Sequence, residues 1–332
     1  MTSKTMRAAM LETSGGPFRV TRIARPEPGP GQVLVRIAAS GVNPLDTKIR
    51  AGAAAHAQHP LPAILGIDLA GTVEALGAGV EDFRRGDEVY GMTGGVGGHQ
   101  GSLAEYAAVD ARLLARRPAN LSMREAAALP LVVITAWEGL VDRARVAPGQ
   151  KVLVQGGGGG VGHVAVQIAR ALGAEVYAAD GAEKKTLIEG LGATAIDFRA
   201  QSVEDHVAAH TAGEGYDLVY DTNGGAVLDS SFRAIKRFGH VVSSLGWGTH
   251  ALAPLSFKAG SYSGVFTLLP LLTGIGRAHH GDILTEVTRL VEDGKLRPIL
   301  DPRRFTLEQV GEAHAAIEDG RAIGKIVVDI AD

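Results

Sequence analysis

Apolar and amphipathic stretches alternate through the middle of the chain. Val152–Val154 is a continuous apolar run, which is typical of a buried strand. Apolar residues then recur at helical spacing, at Val161, Val164, Ala165, Ile168 and Leu172. Gly173 ends this predicted helix, and Glu175–Ala179 forms a second predicted strand. The segment therefore predicts a strand–helix–strand unit.

The same alternation continues beyond this unit. Further strands are predicted at Ala195–Ile196, Leu218–Tyr220 and Val241–Ser243, with helical stretches between them. Tyr262–Thr267 could add a sixth strand at the edge. Alternation of strands and helices with short loops predicts an α/β fold with a doubly wound parallel sheet, the Rossmann arrangement.

The first part of the chain has a different pattern. Short strands are predicted at Val33–Ile37, Gly71–Leu76 and Glu88–Tyr90, separated by glycine and proline, and this spacing favours a small β-barrel. The last part carries predicted helices near 283–293 and 307–318 and a final strand near 325–329. We expect this tail to return to the first domain.

A run of glycines joins the strand at Val152–Val154 to its helix. Gly157, Gly159 and Gly162 fit the G-x-G-x-x-G pattern of dinucleotide-binding proteins. One glycine makes a tight turn, one lets the backbone approach a diphosphate, and one lets helix and strand pack closely. Gly160 and Val161 begin the helix, whose free N–H groups attract phosphate. A P-loop is excluded because His163 and Val164 stand where Lys and Ser or Thr are required.

Composition and charge limit the possible functions. The 332 residues include no cysteine, which excludes disulfides, thiolate metal sites and cysteine nucleophiles. The net charge of −3 and the lack of a basic stripe argue against a nucleic-acid partner. The longest apolar run, around Val265–Leu272, is too short to cross a membrane. We therefore expect a cytoplasmic protein with neither a membrane nor a nucleic-acid partner.

Several short blocks carry a family resemblance in order along the chain. They are Gly41–Asp46, Leu65–Gly71, Gly86–Tyr90, Ser102–Tyr106, Ala126–Pro130, Thr135–Trp137, the glycine run and Gly324–Val328. In these blocks the chain resembles the medium-chain dehydrogenase/reductase superfamily, in its zinc-independent quinone oxidoreductase branch. The resemblance implies a GroES-like barrel domain over 1–122, a Rossmann domain over 123–265, and a return to the first domain over 266–332. It also implies a homodimer.

The residues at the usual zinc positions do not favour a metal. Zinc-dependent relatives place Cys where Asn43 stands and Gly-His-Glu where Gly66, Ile67 and Asp68 stand. Asn and Ile are not zinc ligands, and Asp68 alone cannot hold the ion. We therefore predict no metal site. Without this Lewis acid, reduction of an electron-poor acceptor is more plausible than oxidation of an alcohol.

The end of the second strand bears on the choice between NADH and NADPH. Asp180 can accept hydrogen bonds from the adenine-ribose hydroxyls and would repel a 2′-phosphate. Lys185 matches a family lysine that can face that phosphate, and Lys184 adds a second charge. The arguments for NADH and for NADPH are nearly balanced, and the repulsion between Asp180 and a 2′-phosphate favours NADH slightly. Alternatively, Asp180 caps the helix that begins near Glu183.

The resemblance also implies where the reaction takes place. It puts Asn43 beside the nicotinamide, where an amide can donate to a carbonyl oxygen, and Thr135 under the ring. Lys48 replaces a family tyrosine and could donate a proton or be a surface charge. Asn223, Leu245 and Gly246 lie in loops after the fourth and fifth strands, where nucleotides bind. Trp247 and Phe266 could wall the acceptor pocket.

The predicted function is NAD(P)H-dependent hydride transfer to a quinone or an α,β-unsaturated carbonyl. The partner is a small electron-poor acceptor. Asn43 would help to hold the acceptor oxygen, and solvent or Lys48 would supply the proton. The alternatives are a non-catalytic nucleotide-binding protein of the crystallin type and an alcohol dehydrogenase without zinc. The intact glycine run argues mildly against a purely structural role.

Overall fold

The computed structural model describes residues 4–330 of the chain. These residues divide into two compact units. The first unit comprises the chain up to Leu131, Leu268–Gly294, and the chain from Pro298 onward. The second unit comprises Val132–Thr267 and Lys295–Arg297.

The N-terminal part of the first unit is rich in strands. Its elements are β1 (Thr5–Leu11), β2 (Phe18–Ala24), β3 (Gln32–Val42), α1 (Pro44–Arg50), β4 (Ala63–Ile64), β5 (Asp68–Leu76), β6 (Glu88–Met92), β7 (Tyr106–Asp110), β8 (Leu114–Arg116) and α2 (Met123–Ala127). Two register shifts in the β3–β5 pairing, between Leu34 and Val35 and between Ile37 and Ala39, increase the local bend and twist of β3.

The second unit alternates strands and helices. Its elements are α3 (Pro130–Trp137), which begins at the unit boundary, β9 (Lys151–Gln155), α4 (Gly160–Ala171), β10 (Glu175–Asp180), α5 (Lys185–Gly190), β11 (Thr194–Asp197), α6 (Val203–Thr211), β12 (Tyr216–Asp221), α7 (Ala226–Ala234), β13 (Ile235–Ser243), α8 (Ala253–Ser256) and β14 (Ser261–Gly264). A π-helical turn, Glu138–Arg143, follows α3 directly.

The six strands of the second unit form one parallel sheet in the order β11-β10-β9-β12-β13-β14. The strand order reverses between β9 and β12. Ligands of such sheets bind beyond the carboxyl ends of the strands at this reversal. The sheet thus places the loops after β9, β10, β12 and β13 at the ligand-binding edge. One face of the sheet is buried under apolar side chains that include Leu153, Val219 and Phe232.

The tail of the chain completes the first unit. Its elements are α9 (Leu269–Thr273), α10 (Arg277–Glu292), β15 (Phe305–Thr306), α11 (Val310–Glu318) and β16 (Ile326–Asp329). β16 pairs antiparallel with β3, in a sheet ordered β15-β16-β3-β5-β6-β8, and β7 also pairs with β3. Between residues 4 and 330, no helix is long and apolar enough to span a membrane.

Candidate active site

The glycine run forms a tight turn between β9 and α4. A Cβ built on Gly157 would lie 2.4 Å from the Ala178 Cβ, and one on Gly162 would lie 1.9 Å from the Gly156 carbonyl oxygen. The Gly159 N–H donates to the same Gly156 carbonyl at 2.9 Å, and Gly159 is the N-cap of α4. Gly160 and the half-buried Val161 open the helix. Side chains are thus excluded from the turn, so the free amides at the start of α4 can approach a diphosphate.

Asp180 contributes to the shape of this turn. Its Oδ2 accepts the Gly158 N–H at 2.9 Å, and its Oδ1 accepts the Gly181 N–H at 2.9 Å. Gly181 is the N-cap of the short 3₁₀ turn over 182–184, and Lys184 is the N-cap of α5, so Asp180 does not occupy the N-cap position of either. The carboxylate therefore already binds two backbone amides, one of them in the glycine turn.

The two neighbouring lysines occupy different places. The Lys184 side chain lies against Gly158, where its Cγ would be 3.0 Å from an added Cβ. Lys185 is exposed on α5 and lies 3.9 Å from Glu189, one helical turn further on. The geometry thus favours Lys184 as the cation beside the glycine turn, whereas the family resemblance implies Lys185. Sequence alone could not separate them because both start the same helix.

The loops that follow β12 and β13 contact each other. The buried Asp221 carboxylate accepts the N–H groups of Asn223 and Gly224 and the Ser243 hydroxyl at 2.7 Å. The Leu245 N–H in turn donates to the Ser243 Oγ at 3.1 Å.

Two predicted cofactor contacts in these loops also have close neighbours. The Asn223 Oδ1 lies 2.2 Å from where a Gly156 Cβ would stand, so its amide borders the glycine turn. Gly246 packs against the Tyr262 hydroxyl, because a Cβ added to Gly246 would lie 2.1 Å from the hydroxyl oxygen.

Thr135 is buried near the end of α3, in a polar cluster. Its hydroxyl lies 3.1 Å from the Thr267 hydroxyl, which donates to the Glu138 Oε2 at 3.1 Å. The Tyr220 hydroxyl donates to the Thr135 carbonyl at 2.7 Å. The sequence analysis did not find Glu138, Thr267 or Tyr220 as partners of Thr135, because Thr267 and Tyr220 are far from it in sequence.

Trp247 and Phe266, the two predicted pocket aromatics, contact each other. Their ring centroids are 6.2 Å apart and the rings are perpendicular, an edge-to-face arrangement. Trp247 is 54 % exposed and Phe266 is half-buried. An aromatic surface of the second unit therefore remains open.

Asn43 belongs to a buried polar cluster in the first unit. Its Nδ2 donates to the Asp68 Oδ2 at 2.9 Å, and its Oδ1 accepts a short hydrogen bond from the Lys325 Nζ. Lys325 also donates to the Val42 carbonyl at 3.1 Å. The Asp46 Oδ2 accepts the Asn43 N–H at 2.8 Å. Asn43 is fully buried, so a direct contact with an acceptor molecule would require its surroundings to move.

Burial governs the ionisation of this cluster. It raises the pKa of Asp46 to about 7 and that of Asp68 to about 6, and hydrogen bonds and Lys325 oppose part of both shifts. Burial also lowers the pKa of Lys325, while the two carboxylates oppose that shift. The cluster thus combines one buried cation with two carboxyl groups that resist losing their protons.

These residues do not fit a catalytic zinc ion. The Asn43 and Asp68 side chains are already bonded to each other, and Asn43 is also bonded to the ammonium group of Lys325. Ile67 is fully buried and offers no donor atom. Within residues 4–330, no group of three or more His, Cys, Asp or Glu side chains could hold a metal ion. The positive charge in this cluster comes from Lys325.

Lys48, the predicted proton donor, lies on α1 and is exposed. The neighbouring Asp46, Thr47 and Ile49 of this helix are buried. The role of Lys48 stays a prediction.

Two family descriptions match the chain. Residues 29–119 match the alcohol dehydrogenase GroES-like domain, and residues 191–328 match the family described as zinc-binding dehydrogenase. The first match lies in the strand-rich first unit. The second covers much of the parallel sheet and part of the tail.

Individual proteins are similar over nearly the whole chain. The NADPH-dependent alkenal/one oxidoreductase of Arabidopsis thaliana, a chloroplastic protein, is 36% identical over 93% of this chain and 74% of its own length. An alcohol dehydrogenase superfamily protein from Novosphingobium aromaticivorans is 61% identical, with a TM-score of 0.97 over 98% of this chain and 100% of its own. The quinone oxidoreductase from Coxiella burnetii is 28% identical, with a TM-score of 0.83 over 99% and 100%.

These similarities agree with the architecture described above. The parallel sheet with its glycine turn is the Rossmann part, and the strand-rich unit is the GroES-like part, as the sequence predicted. The Arabidopsis and Coxiella proteins, which match across both units, are oxidoreductases by name. The chain therefore belongs to the medium-chain dehydrogenase/reductase family, and it is an enzyme, a reductase of that family.

Proposed function

We propose that the enzyme uses NADPH or NADH to reduce quinones or α,β-unsaturated carbonyl compounds without zinc. The observation that carries this proposal is the Asn43–Asp68–Lys325 cluster, in which an ammonium group replaces the ligand set that zinc needs. A site without a Lewis acid suits acceptors that are already electron-poor. The Arabidopsis and Coxiella relatives, named for alkenals, enones and quinones, support this substrate class.

The second unit would hold the dinucleotide through main-chain groups. The amides at Gly159, Gly160 and Val161 begin α4 and would bind the diphosphate, with Gly157 and Gly162 making room for the turn. The loops with Asn223, Leu245 and Gly246 lie at the same edge of the sheet. The bound nicotinamide supplies hydride to the acceptor.

Side chains of the second unit would orient the acceptor. Trp247 and Phe266 present an aromatic surface suited to a flat, conjugated acceptor. Thr135 would lie under the nicotinamide. We assign Asn43 a positioning role within its cluster, because its burial and two side-chain hydrogen bonds argue against direct contact with the acceptor.

The test is oxidation of NADPH and NADH against a panel of quinones and enones. We expect turnover with at least one conjugated acceptor and little with saturated aldehydes or alcohols. Tight dinucleotide binding without turnover of any acceptor would favour the non-catalytic, crystallin-type alternative. Oxidation of simple alcohols at a comparable rate would favour the alcohol dehydrogenase alternative.

The preference between the two dinucleotides is a separate proposal. The like-charge argument at Asp180 favours NADH slightly. Opposing this, Asp180 already binds two amides, Lys184 lies beside Gly158, and the Arabidopsis relative is named NADPH-dependent. An Asp180→Ser variant should shift the ratio of dissociation constants toward NADPH.

Asp205→Ser is the matched control for this experiment. It removes a carboxylate of the same unit that binds only the start of α6 in the described contacts. If Asp180→Ser and the control leave the ratio of dissociation constants equally unchanged, Asp180 does not select the dinucleotide.

We further propose that the enzyme is a homodimer in the cytoplasm. β14 lies at the edge of the parallel sheet and pairs only with β13 within residues 4–330. A free strand edge can pair with another chain. Light scattering coupled to size-exclusion chromatography tests the dimer, and a monomer at all concentrations would contradict it.

A further inference from the structure

The loop over residues 244–252 connects β13 to α8 and carries Trp247. It contains neither helix nor strand. Gly246 and Gly248 stand on either side of Trp247, and Gly248 has a φ of 102°, a conformation that favours glycine. Because glycine leaves the backbone many alternative conformations, the position of Trp247 depends on the contacts that anchor the loop.

His250 anchors this loop through both nitrogens of its ring. Its Nδ1 lies 2.9 Å from the Asp229 Oδ1 on α7, and its Nε2 lies 3.1 Å from the Trp247 carbonyl oxygen. The ring also packs edge-to-face against Phe232, with the centroids 6.4 Å apart. The His250 side chain is 12 % exposed, whereas the Asp229 side chain is 51 % exposed. The histidine therefore ties the Trp247 backbone to a helix of the second unit.

The two hydrogen-bond partners of His250 require a protonated ring. A carboxylate and a carbonyl oxygen only accept hydrogen bonds, so both ring nitrogens must donate at once. A neutral imidazole has one N–H and can make only one of the two bonds. Loss of the proton therefore breaks the connection either to Asp229 or to Trp247.

The electrostatic surroundings favour the same protonated form. The hydrogen bond to Asp229, followed by the one to the Trp247 carbonyl, raises the pKa of His250 above its ordinary value, although desolvation opposes part of the shift. The charges of Asp229 and of Asp221, at the end of β12, act in the same direction. The loop and α8, residues 244–256, contain no other charged side chain. His250 therefore keeps its proton to a higher pH than an isolated histidine does.

We propose that protonated His250 is a positioning residue, which holds Trp247 in place for the acceptor and releases it when the ring loses its proton. This role rests on the proposed function, because His250 acts on the acceptor only through Trp247. The Trp247 ring is largely exposed and meets Phe266 edge to face, so a flat acceptor can pack against it.

The first part of the loop, which carries the predicted cofactor contacts, has its own anchors. The Leu245 N–H donates to the Ser243 Oγ at 3.1 Å, and the Gly246 backbone packs against the Tyr262 hydroxyl. Neither contact involves His250. Loss of the His250 proton should therefore weaken the binding of the acceptor and leave the affinity for the dinucleotide unchanged.

The main measurement is the KM of a quinone or enone without ionisable groups, at saturating dinucleotide and at pH values upward from about 6. Because the pKa of His250 is raised in the folded protein, the anchor is complete at low pH and is lost as pH rises through that pKa. In the wild type, KM should rise about 3- to 10-fold over this range, as expected for the loss of one hydrogen bond. The change in KM should exceed the change in kcat that is due to His250.

Two variants separate His250 from other titrating groups. His250→Gln cannot donate to both partners, so KM should be high and should lose this pH dependence. Asp229→Asn removes the charge that raises the pKa of His250, so the midpoint of the KM profile should move to lower pH. His240→Gln is the matched control, because His240 is a half-buried histidine of the same unit that contacts the Ser263 hydroxyl, and it should keep the wild-type profile. Thermal unfolding and dinucleotide affinity establish that each variant is folded.

A second measurement needs no turnover. The chain has two tryptophans, so Trp137→Phe leaves Trp247 as the single one. In this background, time-resolved fluorescence anisotropy should show nanosecond motion of the Trp247 ring that increases as pH rises. With His250→Gln added, this motion should be large at every pH.

Three results would overturn the role of His250. They are a KM profile in His250→Gln that equals that of the wild type, a midpoint that does not move in Asp229→Asn, and Trp247 motion that is the same with and without His250. A wild type that reduces no enone or quinone, but in which Trp247 motion depends on His250, would instead refute the proposed function. The two failures are therefore distinguishable.

Discussion

Gly162 offers the sharpest test of how the glycine turn works. In Gly162→Ala the new Cβ would lie 1.9 Å from the Gly156 oxygen, 2.7 Å from the Gly156 carbon and 2.8 Å from the Gly157 Cα. All three atoms are backbone, so no side-chain rotation relieves the clash. The turn must move by more than 1 Å to restore contact at about 3.5 Å, the normal separation of non-bonded carbon atoms.

The cost can be worked out from the contacts. Overpacking in a tight site costs about 1–3 kcal/mol. Moving the Gly156 carbonyl also weakens its hydrogen bond from Gly159, which is worth about 1 kcal/mol. The higher helix propensity of alanine offsets about 1 kcal/mol of this destabilisation. We expect a net destabilisation of about 2 kcal/mol, and at least about a tenfold loss of dinucleotide affinity if the displaced amides lose 1.4 kcal/mol of binding.

The matched control is Gly311→Ala in α11. Gly311 is also near the start of a helix, but an added Cβ meets nothing within 4 Å. Alanine should therefore stabilise the protein there by up to about 1 kcal/mol. Urea unfolding and calorimetric titration of dinucleotide measure both variants. If Gly162→Ala matches the wild type in stability and affinity, the proposed role of this close approach is wrong.

Three further predictions concern the buried polar groups. Burial in the folded state raises the pKa of Asp46 to about 7, so the free energy of unfolding falls as pH rises from about 4 to 7. Asp46→Asn should therefore make the melting temperature less dependent on pH. A variant whose melting temperature depends on pH as steeply as that of the wild type would contradict this. Lys325→Met leaves two buried carboxyl groups without their cation and should cost about 3–5 kcal/mol at pH 8. The loss should be smaller at pH 5, where the carboxyls are protonated, and an equal loss at both values would argue against charge as its cause. Tyr220→Phe removes the bond to the Thr135 carbonyl and should cost about 1 kcal/mol in urea unfolding, whereas no loss would show that this bond is not stabilising.

The elements found from sequence are those with a local signal. The apolar run before the glycines predicted β9, and the helical spacing of apolar residues after them predicted α4. Both could be found from sequence because each pattern lies within a dozen residues. The suggested strand at Tyr262–Thr267 is shorter in the structure, where β14 ends at Gly264. Short elements such as β4 and β15 carry two residues each and no pattern that sequence analysis could find.

The polar clusters could not be predicted in the same way. Asn43 and Lys325 are 282 positions apart, and Glu138 and Thr267 are 129 apart. Each motif was visible alone, but only the folded sheet brings the partners together. The cofactor loops were predictable because parallel strands end at a common edge, a rule that needs only the strand order.

The pairing of β16 with β3 has a consequence for synthesis on the ribosome. The second unit is almost contiguous in sequence, so its sheet can form while the rest of the polypeptide is still being made. The first unit needs its last strand, which also brings the ammonium group that compensates two acidic side chains. A nascent protein thus completes its first unit only once Lys325 and β16 have been synthesised, and a chain that stops before Lys325 should leave those acids uncompensated.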